Sequence, residues 1–275
     1  METYLDLPKR TVKPRKNGIT SIHDVRHTVR ELEHILEEHQ SFVDVAKLGV
    51  GTALVVPKLK EKIACYAKHD IDVYFGGTLF EKFYHQDKLE DYQRFMSDHN
   101  IGLVEVSEGT LDIPIEERLQ IIETFKKNFN VLAEVGSKDA DAIMPPSQWL
   151  YEIRTFLDAG CSYVITEGRN SGTAGIYRQS GEIRTGLVSD IIDQVDASKL
   201  IFEAPTPSSQ MFFINQVGAN VNLGNVNPMD LLLLETYFEA LLNKTSSNTL
   251  EQGGKTSRLS RNLCTNSIKR RFKKN

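Results

Sequence analysis

Val131-Leu132-Ala133-Glu134-Val135-Gly136-Ser137-Lys138 is the stretch on which the reading of this chain turns. A short apolar run carries one acid near its end, a glycine stops it, and a lysine follows. The plan recurs on both sides, in Leu103–Ser107 with Glu105, in Tyr163–Glu167, and in Leu200–Ala204 with Glu203. Near-continuous runs of branched residues, each four to six long, are how strands buried on both faces read. Four more such runs lie further out: Ile19–Asp24, Val43–Leu48, Asp72–Phe75 and Val221–Asn225.

The intervening segments follow a helical period. Val25, Val29, Leu32 and Leu36 fall on one helical face. Pro57 and Pro114 stand where a first turn begins, and Asn227-Pro228 supplies a cap and a first-turn proline ahead of an apolar helix ending near Leu242. Strand alternating with helix predicts a parallel sheet with right-handed crossovers. Eight units predict closure into a single (β/α)8 TIM-type barrel over residues 1–245. The rival, an open doubly wound sheet, calls for a glycine-rich fingerprint after its first strand, whereas Asp24 leads straight into a polar helix.

The chain has 275 residues, 25% of them charged, and a formal net charge of −4. That value hides an asymmetry. From Ser246 onward eight Lys/Arg face the single acid Glu251, so this stretch carries +7 and the rest −11. Rich in Ser, Thr and Asn and without apolar periodicity, 246–275 is expected to be a disordered basic tail, with nucleic-acid attachment only weakly signalled. No apolar run is long enough for a bilayer, and the N-terminus has no apolar signal core, so a cytoplasmic protein is expected. Cys65, Cys161 and Cys264 lack a CxxC spacing and read as reduced structural thiols. His23 and His27 are four apart, but no HExxH accompanies them, which argues against zinc; the histidines are expected to be solvated or locally bonded.

In such a barrel the chemistry sits at the C-terminal ends of the strands. Glu105, Glu134, Glu167 and Glu203 occur at matching depth and converge on one mouth, joined by Asp24 and Lys47. Like charges gathered this closely need a cation, a proton or a basic partner, and oxygen ligands suit Mg²⁺. Lys138, Arg169 and Arg178 fall in the loops beyond, where arginine suits bidentate contact with phosphate or sulfonate. Asn222 and Asn225, at the end of the eighth run, precede a helix in the region where barrels often hold phosphate.

Several longer matches, in order, resemble the phosphosulfolactate synthase family, which includes plant heat-stress-associated relatives. They run from Lys13-Pro14-Arg15 to about Glu235. Among them are Phe75-Gly76-Gly77-Thr78-Leu79-Phe80-Glu81, Glu134-Val135-Gly136, Thr166-Glu167-Gly168-Arg169 and Ile201-Phe202-Glu203-Ala204-Pro205. The resemblance implies a Mg²⁺-dependent lyase that adds sulfite to phosphoenolpyruvate, giving 2-phospho-3-sulfolactate on a route to coenzyme M or sulfolactate. It further implies Lys138 as proton donor, with Lys47 beside it in catalysis or, with Arg169 and Arg178, on the phosphate or sulfonate. Asn222 and Asn225 would assist in substrate binding, Glu105, Glu134 and Glu167 would hold the metal, and the chain could form a homo-oligomer. Two departures stand out. Val50 replaces the tryptophan usual in Gly-Trp-Gly-Thr-Ser, and the stretch Tyr237–Thr245 lacks the two arginines usual in the closing helix. The alternative is therefore a non-catalytic, stress-related or partner-binding barrel.

Overall fold

The computed structural model describes residues 7–139 and 144–240; the predicted basic tail lies outside them. Eight strands form one all-parallel sheet: β1 (Thr20–His23), β2 (Val45–Leu48), β3 (Asp72–Phe75), β4 (Leu103–Val106), β5 (Asn130–Val135), β6 (Tyr163–Thr166), β7 (Leu200–Glu203) and β8 (Leu223–Val226). The ladder order is β3-β2-β1-β8-β7-β6-β5-β4, and β3 and β4 lie side by side without a ladder, so the barrel is nearly closed. Around it run α1 (Val29–His39), α2 (Leu59–Lys68), α3 (Gly77–Tyr84), α4 (Leu89–Asp98), α5 (Ile115–Phe125), α6 (Pro146–Asp158), α7 (Thr185–Gln194), α8 (Pro207–Val217) and α9 (Leu231–Ala240). Two helices, α3 and α4, fill the crossover at the unladdered seam.

The period of two along each strand separates two cores. Outward positions such as Ile22, Ala46, Phe75, Val104, Ala133, Val164 and Phe202 pack against buried helix residues, among them Leu32, Phe80, Ile122 and Phe213. Trp149 of α6 is fully buried in this layer, as its spacing with Leu150 and Ile153 predicts. Inward positions Tyr74, Leu132, Ile165 and Ile201 plug the lumen. Two residues further along the same strands, on the same face, stand Glu134, Glu167 and Glu203. An apolar floor therefore underlies the acidic mouth.

Local signals set the ends. The first helix begins at Val29 rather than Val25, because Thr28 and Glu31 form a capping box. At β8 the ladder starts two residues later than expected. Asn222 Oδ1 accepts from the Ile19 N–H at 3.0 Å, while Nδ2 donates to Ser198 O and Leu200 O at 3.0 and 2.8 Å. This side chain stitches the N-terminal ends of three strands. Among the described residues no helix is long and apolar enough to cross a membrane.

Candidate active site

At the C-terminal ends of the strands opens a cavity of about 350 Å³, with Lys47, Lys138, Glu167, Glu203, Arg169 and Asn225 in its wall. Lys47 is the hub. Its Nζ lies 3.1 Å from both Glu105 and Glu203 and 3.5 Å from Glu134. Lys138, on the loop after β5, reaches Glu134 at 2.8 Å, Glu167 at 3.4 Å and Glu81 at 3.6 Å. Two ammonium groups thus knit together carboxylates from β4, β5, β6, β7 and α3.

All of these carboxylates but Glu134 also have a tether besides the lysines. Glu105 Oε1 accepts from the Gly77 N–H at 2.6 Å, and Glu203 Oε2 accepts from the Gly168 N–H at 2.8 Å. Glu167 Oε1 accepts from the Arg169 N–H at 2.6 Å. Residue 77 has to be glycine, since a Cβ there would stand 2.1 Å from Ser107 Oγ and 2.5 Å from Glu105 Oε1. Glu81 ties down the loop after β4 by accepting from Ser107 Oγ at 2.5 Å, from the Gly109 and Thr110 N–H groups, and from the Thr110 hydroxyl.

This packing divides the protonation behaviour. Burial pushes the Glu105 carboxyl up to about 7, although Lys47 opposes it. Burial, then the neighbouring Glu134 and Glu203, carry Glu167 well above the usual carboxylate range. For Glu134 burial acts the same way, but Lys138 and Lys47 outweigh it and hold this carboxyl below the usual range. Burial also works against the charges on Lys47 and Lys138, yet the surrounding carboxylates prevail and keep both ammonium groups protonated.

Several expected site residues are brought together here, and others are not. Lys47, Lys138, Glu105, Glu134, Glu167, Arg169 and Asn225 all reach the mouth or its inner wall; Asn225 Oδ1 is buried with no hydrogen-bond partner. Asn222 does not: its stitching bonds put it at the opposite end of the barrel. Arg178 also lies apart. It is exposed, on a short hairpin held by the Tyr177–Ile183 bridge, and pairs with Glu182 at 3.7 Å. Asp24 turns from the cavity to Lys62 Nζ at 2.7 Å and Tyr66 Oη at 2.8 Å, clamping β1 to α2. Of the acids expected to hold a metal, Glu134 and Glu167 group with Glu203, each offering an oxygen within 4.8 Å of the others, and Glu105 stands outside this group. His27 is locally bonded to Asp24 as expected, but His23 is buried in the cavity wall.

Sequence reasoning missed Glu81 and His23. Glu81 could have been found, because it lies one helical turn beyond Gly77 and so returns to the face that meets β4. A larger cavity of about 1430 Å³ opens at the other end of the strands, under residues 10–16. Three of its cations are engaged structurally. Arg10 pairs with Glu235 and lies over the Phe238 ring, Arg15 pairs with Asp44, and Lys13 donates to the carbonyls of Gln40 and His69.

Comparison with known proteins agrees with the fold. Residues 8–242 match the family model described as ComA, (2R)-phospho-3-sulfolactate synthase. The chain is 40% identical over 235 residues to "Phosphosulfolactate synthase" of Bacillus subtilis, covering 84% of this chain and 93% of that protein. It is 23% identical over 243 residues to "Protein HEAT-STRESS-ASSOCIATED 32" of Arabidopsis thaliana, covering 78% and 83%. Among solved structures the YdjI aldolase from Escherichia coli K12 superposes with a TM-score of 0.52 at 12% identity, over 81% of this chain and 86% of that one. That last likeness speaks for the barrel alone. The match along nearly all of the barrel, at the identity shared with the Bacillus enzyme, means that the chain belongs to the phosphosulfolactate synthase family.

Proposed function

We propose that this chain is itself a Mg²⁺-dependent phosphosulfolactate synthase, joining sulfite to the methylene carbon of phosphoenolpyruvate to give 2-phospho-3-sulfolactate. The observation that carries the reading is the pair of buried lysines set against a cluster of buried carboxylates at the mouth. Glu134 Oε2 and Glu167 Oε2 are buried with an ammonium at 3.5 and 3.4 Å, and the two carboxyls share a hydrogen bond whose proton a cation would displace. Hard oxygen donors gathered in this way fit Mg²⁺, and Glu134, Glu167 and Glu203 would hold it. Bound there, the ion would supply positive charge to stabilise the carboxylate of the substrate as electron density shifts onto it.

The chain's own groups account for the rest. Arg169 and Lys47 attract the anionic substrate into the cavity, and the Asn225 side chain in the wall restricts how it is oriented. Bond formation between sulfur and the methylene carbon pushes the double-bond electrons towards the carbon bearing the phosphate ester. That carbon then needs a proton. The Lys138 ammonium, held charged by Glu134, Glu167 and Glu81, supplies it.

The rival reading, a non-catalytic barrel, has one feature in its favour. The closing helix buries Phe238 under Arg10 where the family usually has cations. A single assay separates the two. Purified protein with phosphoenolpyruvate, sulfite and Mg²⁺ is expected to give a product of the mass of phosphosulfolactate. Activity is expected to vanish with chelator and return with Mg²⁺. Failure to form that product under any metal condition would establish the rival; full turnover in metal-free enzyme would remove the metal from the reaction. The small anionic substrates leave no need for a nucleic-acid or membrane partner. Self-association and a cytoplasmic location complete the reading, the former checked by sedimentation and the latter by imaging the tagged protein.

A further inference from the structure

The loop after β6 does not stay beside its own strand. Its first two N–H groups, those of Gly168 and Arg169, donate to Glu203 and Glu167. The next residue, Asn170, bonds to the end of β1, with Oδ1 3.0 Å from Nδ1 of His23. In the ladder β7 and β8 stand between β6 and β1, so this one side-chain bond joins parts of the rim that are not neighbours in the sheet. A carbonyl oxygen can only accept, so Nδ1 carries the hydrogen. The other ring nitrogen is turned to the Gly49 backbone: a Cβ at residue 49 would stand 1.8 Å from Nε2 and 2.5 Å from Cδ2. The imidazole, buried to 8% exposure, is therefore seated between the loops after β2 and β6.

What this bond holds in place is Arg169. The residue sits at φ 56, a backbone conformation that a long side chain keeps only where its neighbours impose it. Three neighbours do so here. Glu203 and Glu167 take the N–H groups before it and at it, and His23 takes the side chain after it. Arg169 itself is exposed, and its guanidinium bonds to no described residue. It stands in the wall of the mouth cavity and in that of a neighbouring cavity of about 640 Å³ over the loops after β4 and β5. Lys138 is the other cation common to both walls. We propose that His23 and Asn170 are positioning residues, whose bond fixes the Arg169 backbone and so aims its guanidinium at the anionic groups of phosphoenolpyruvate.

The identity of the anion rests on the synthase reading; the positioning role rests on the geometry. The bond is not needed to hold β1, which is laddered to β2 on one side and β8 on the other, with His23 itself in register with Lys47. Nor does Asn170 hold the core together, since it is exposed. Released from His23, the loop would leave Arg169 free to sample other backbone conformations, and ordering it again would weaken each binding event. An arginine that grips the substrate before and during the reaction contributes to both states alike. Its loss of aim should therefore raise KM and leave kcat in place.

The test uses the full chain at saturating sulfite with phosphoenolpyruvate varied. Asn170→Ala removes the acceptor and His23→Leu the donor, whereas His23→Asn keeps an N–H donor where Nδ1 stood. Asn170→Ala and His23→Leu are each expected to raise KM for phosphoenolpyruvate by about three- to tenfold, the scale of one neutral hydrogen bond, with kcat held. His23→Asn is expected to restore KM towards wild type. Added to Arg169→Met, Asn170→Ala should raise KM no further, because the two act as one unit. An unchanged KM in both Asn170→Ala and His23→Leu would overturn the proposal. So would a further rise on the Arg169→Met background, or a fall in kcat at constant KM. An equal loss in His23→Asn and His23→Leu, with lowered melting temperatures in both, marks a packing role and overturns it too. Titration calorimetry with phosphoenolpyruvate keeps this separate from the synthase reading. If wild type makes no product but binds phosphoenolpyruvate, and Asn170→Ala binds it more weakly, the synthase reading falls while the positioning role stands. Turnover by wild type, with equal binding by both proteins, does the reverse. Neither binding nor turnover by wild type overturns both.

Discussion

Replacing Lys47 by methionine keeps the length of the side chain and removes the charge at the centre of the mouth. At an effective dielectric of about 20, each contact at 3.1 Å represents roughly 5 kcal/mol of gross attraction. Dehydration of the buried ammonium offsets most of this in the wild type, so the intact network contributes little net stability. The variant is different, because Glu105, Glu134 and Glu203 stay buried while their common counter-charge is gone. Breaking a buried pair from one side costs about 3–5 kcal/mol, and at about 2–4 °C per kcal/mol for a domain of this size the melting temperature should fall by roughly 6–20 °C. The loss should depend on pH in a definite direction. Glu105 already sits at about 7 with Lys47 opposing its burial, and removing that opposition lifts it further. A carboxyl raised above its unfolded value of about 4.3 stabilises the fold while it stays protonated, and that contribution is lost as pH rises through the folded value. Urea melts of wild type and variant should therefore differ little at pH 5 and most at pH 8. A constant difference across this range, or none at pH 8, would refute the picture of Lys47 as the counter-charge of the cluster.

Three further outcomes are expected. Asp24→Asn leaves Lys62 buried opposite a neutral amide and should cost about 3–5 kcal/mol at pH 7 in urea melts. Burial opposes ionisation of Asp24, but His27, Lys62 and Tyr66 outweigh it and hold its carboxyl below the usual range, so the cost should shrink as pH falls below about 4. Lys138→Met should slow product formation by at least about 100-fold with the fold intact by circular dichroism; surviving turnover would remove Lys138 from proton donation. Deleting 246–275, which has a basic and non-periodic sequence, should leave the melting temperature unchanged in calorimetry.

The barrel was legible because each buried strand had to be a short branched-apolar run, and eight of them alternate with helices of correct period. The ends were less so. Asn222 looks like a strand residue, but its side chain takes the place of ladder bonds that the sequence alone does not assign. Nearness in sequence groups it with Asn225, yet the two serve different ends of the strand. The chain between them spans the strand's depth, and Asn225 turns at φ 54 to meet the cavity while Asn222 stays at the opposite end of the barrel. Arg178 directly follows Tyr177, one partner of the hairpin's β-bridge, and hairpin direction is a tertiary fact. The acids were legible as a set, since the period of two places all four on the inner face. Which three converge was not. Glu134, Glu167 and Glu203 stand on the consecutive strands β5, β6 and β7. Glu105 stands on β4 beside the unladdered seam, where the free N–H of Gly77 draws it aside.

The charge balance of the mouth shows why these details matter to the proposed reaction. Fully ionised, Glu105, Glu134, Glu167 and Glu203 would exceed Lys47 and Lys138 by two charges, and such a site would repel a polyanionic substrate. The ligand-free protein relieves the excess by raising Glu105 and Glu167, so that protons remain available to both. A divalent ion on Glu134, Glu167 and Glu203 would relieve it differently, leaving Lys47 and Arg169 free to act on the substrate. Lys138 is the group most affected by the exchange. Its proton is held by Glu134 and Glu167, and carboxylates committed to a cation hold it less firmly. In this reading the acid weakens its grip only once the carboxylates are occupied, so proton donation is tied to the assembled site rather than to the empty one.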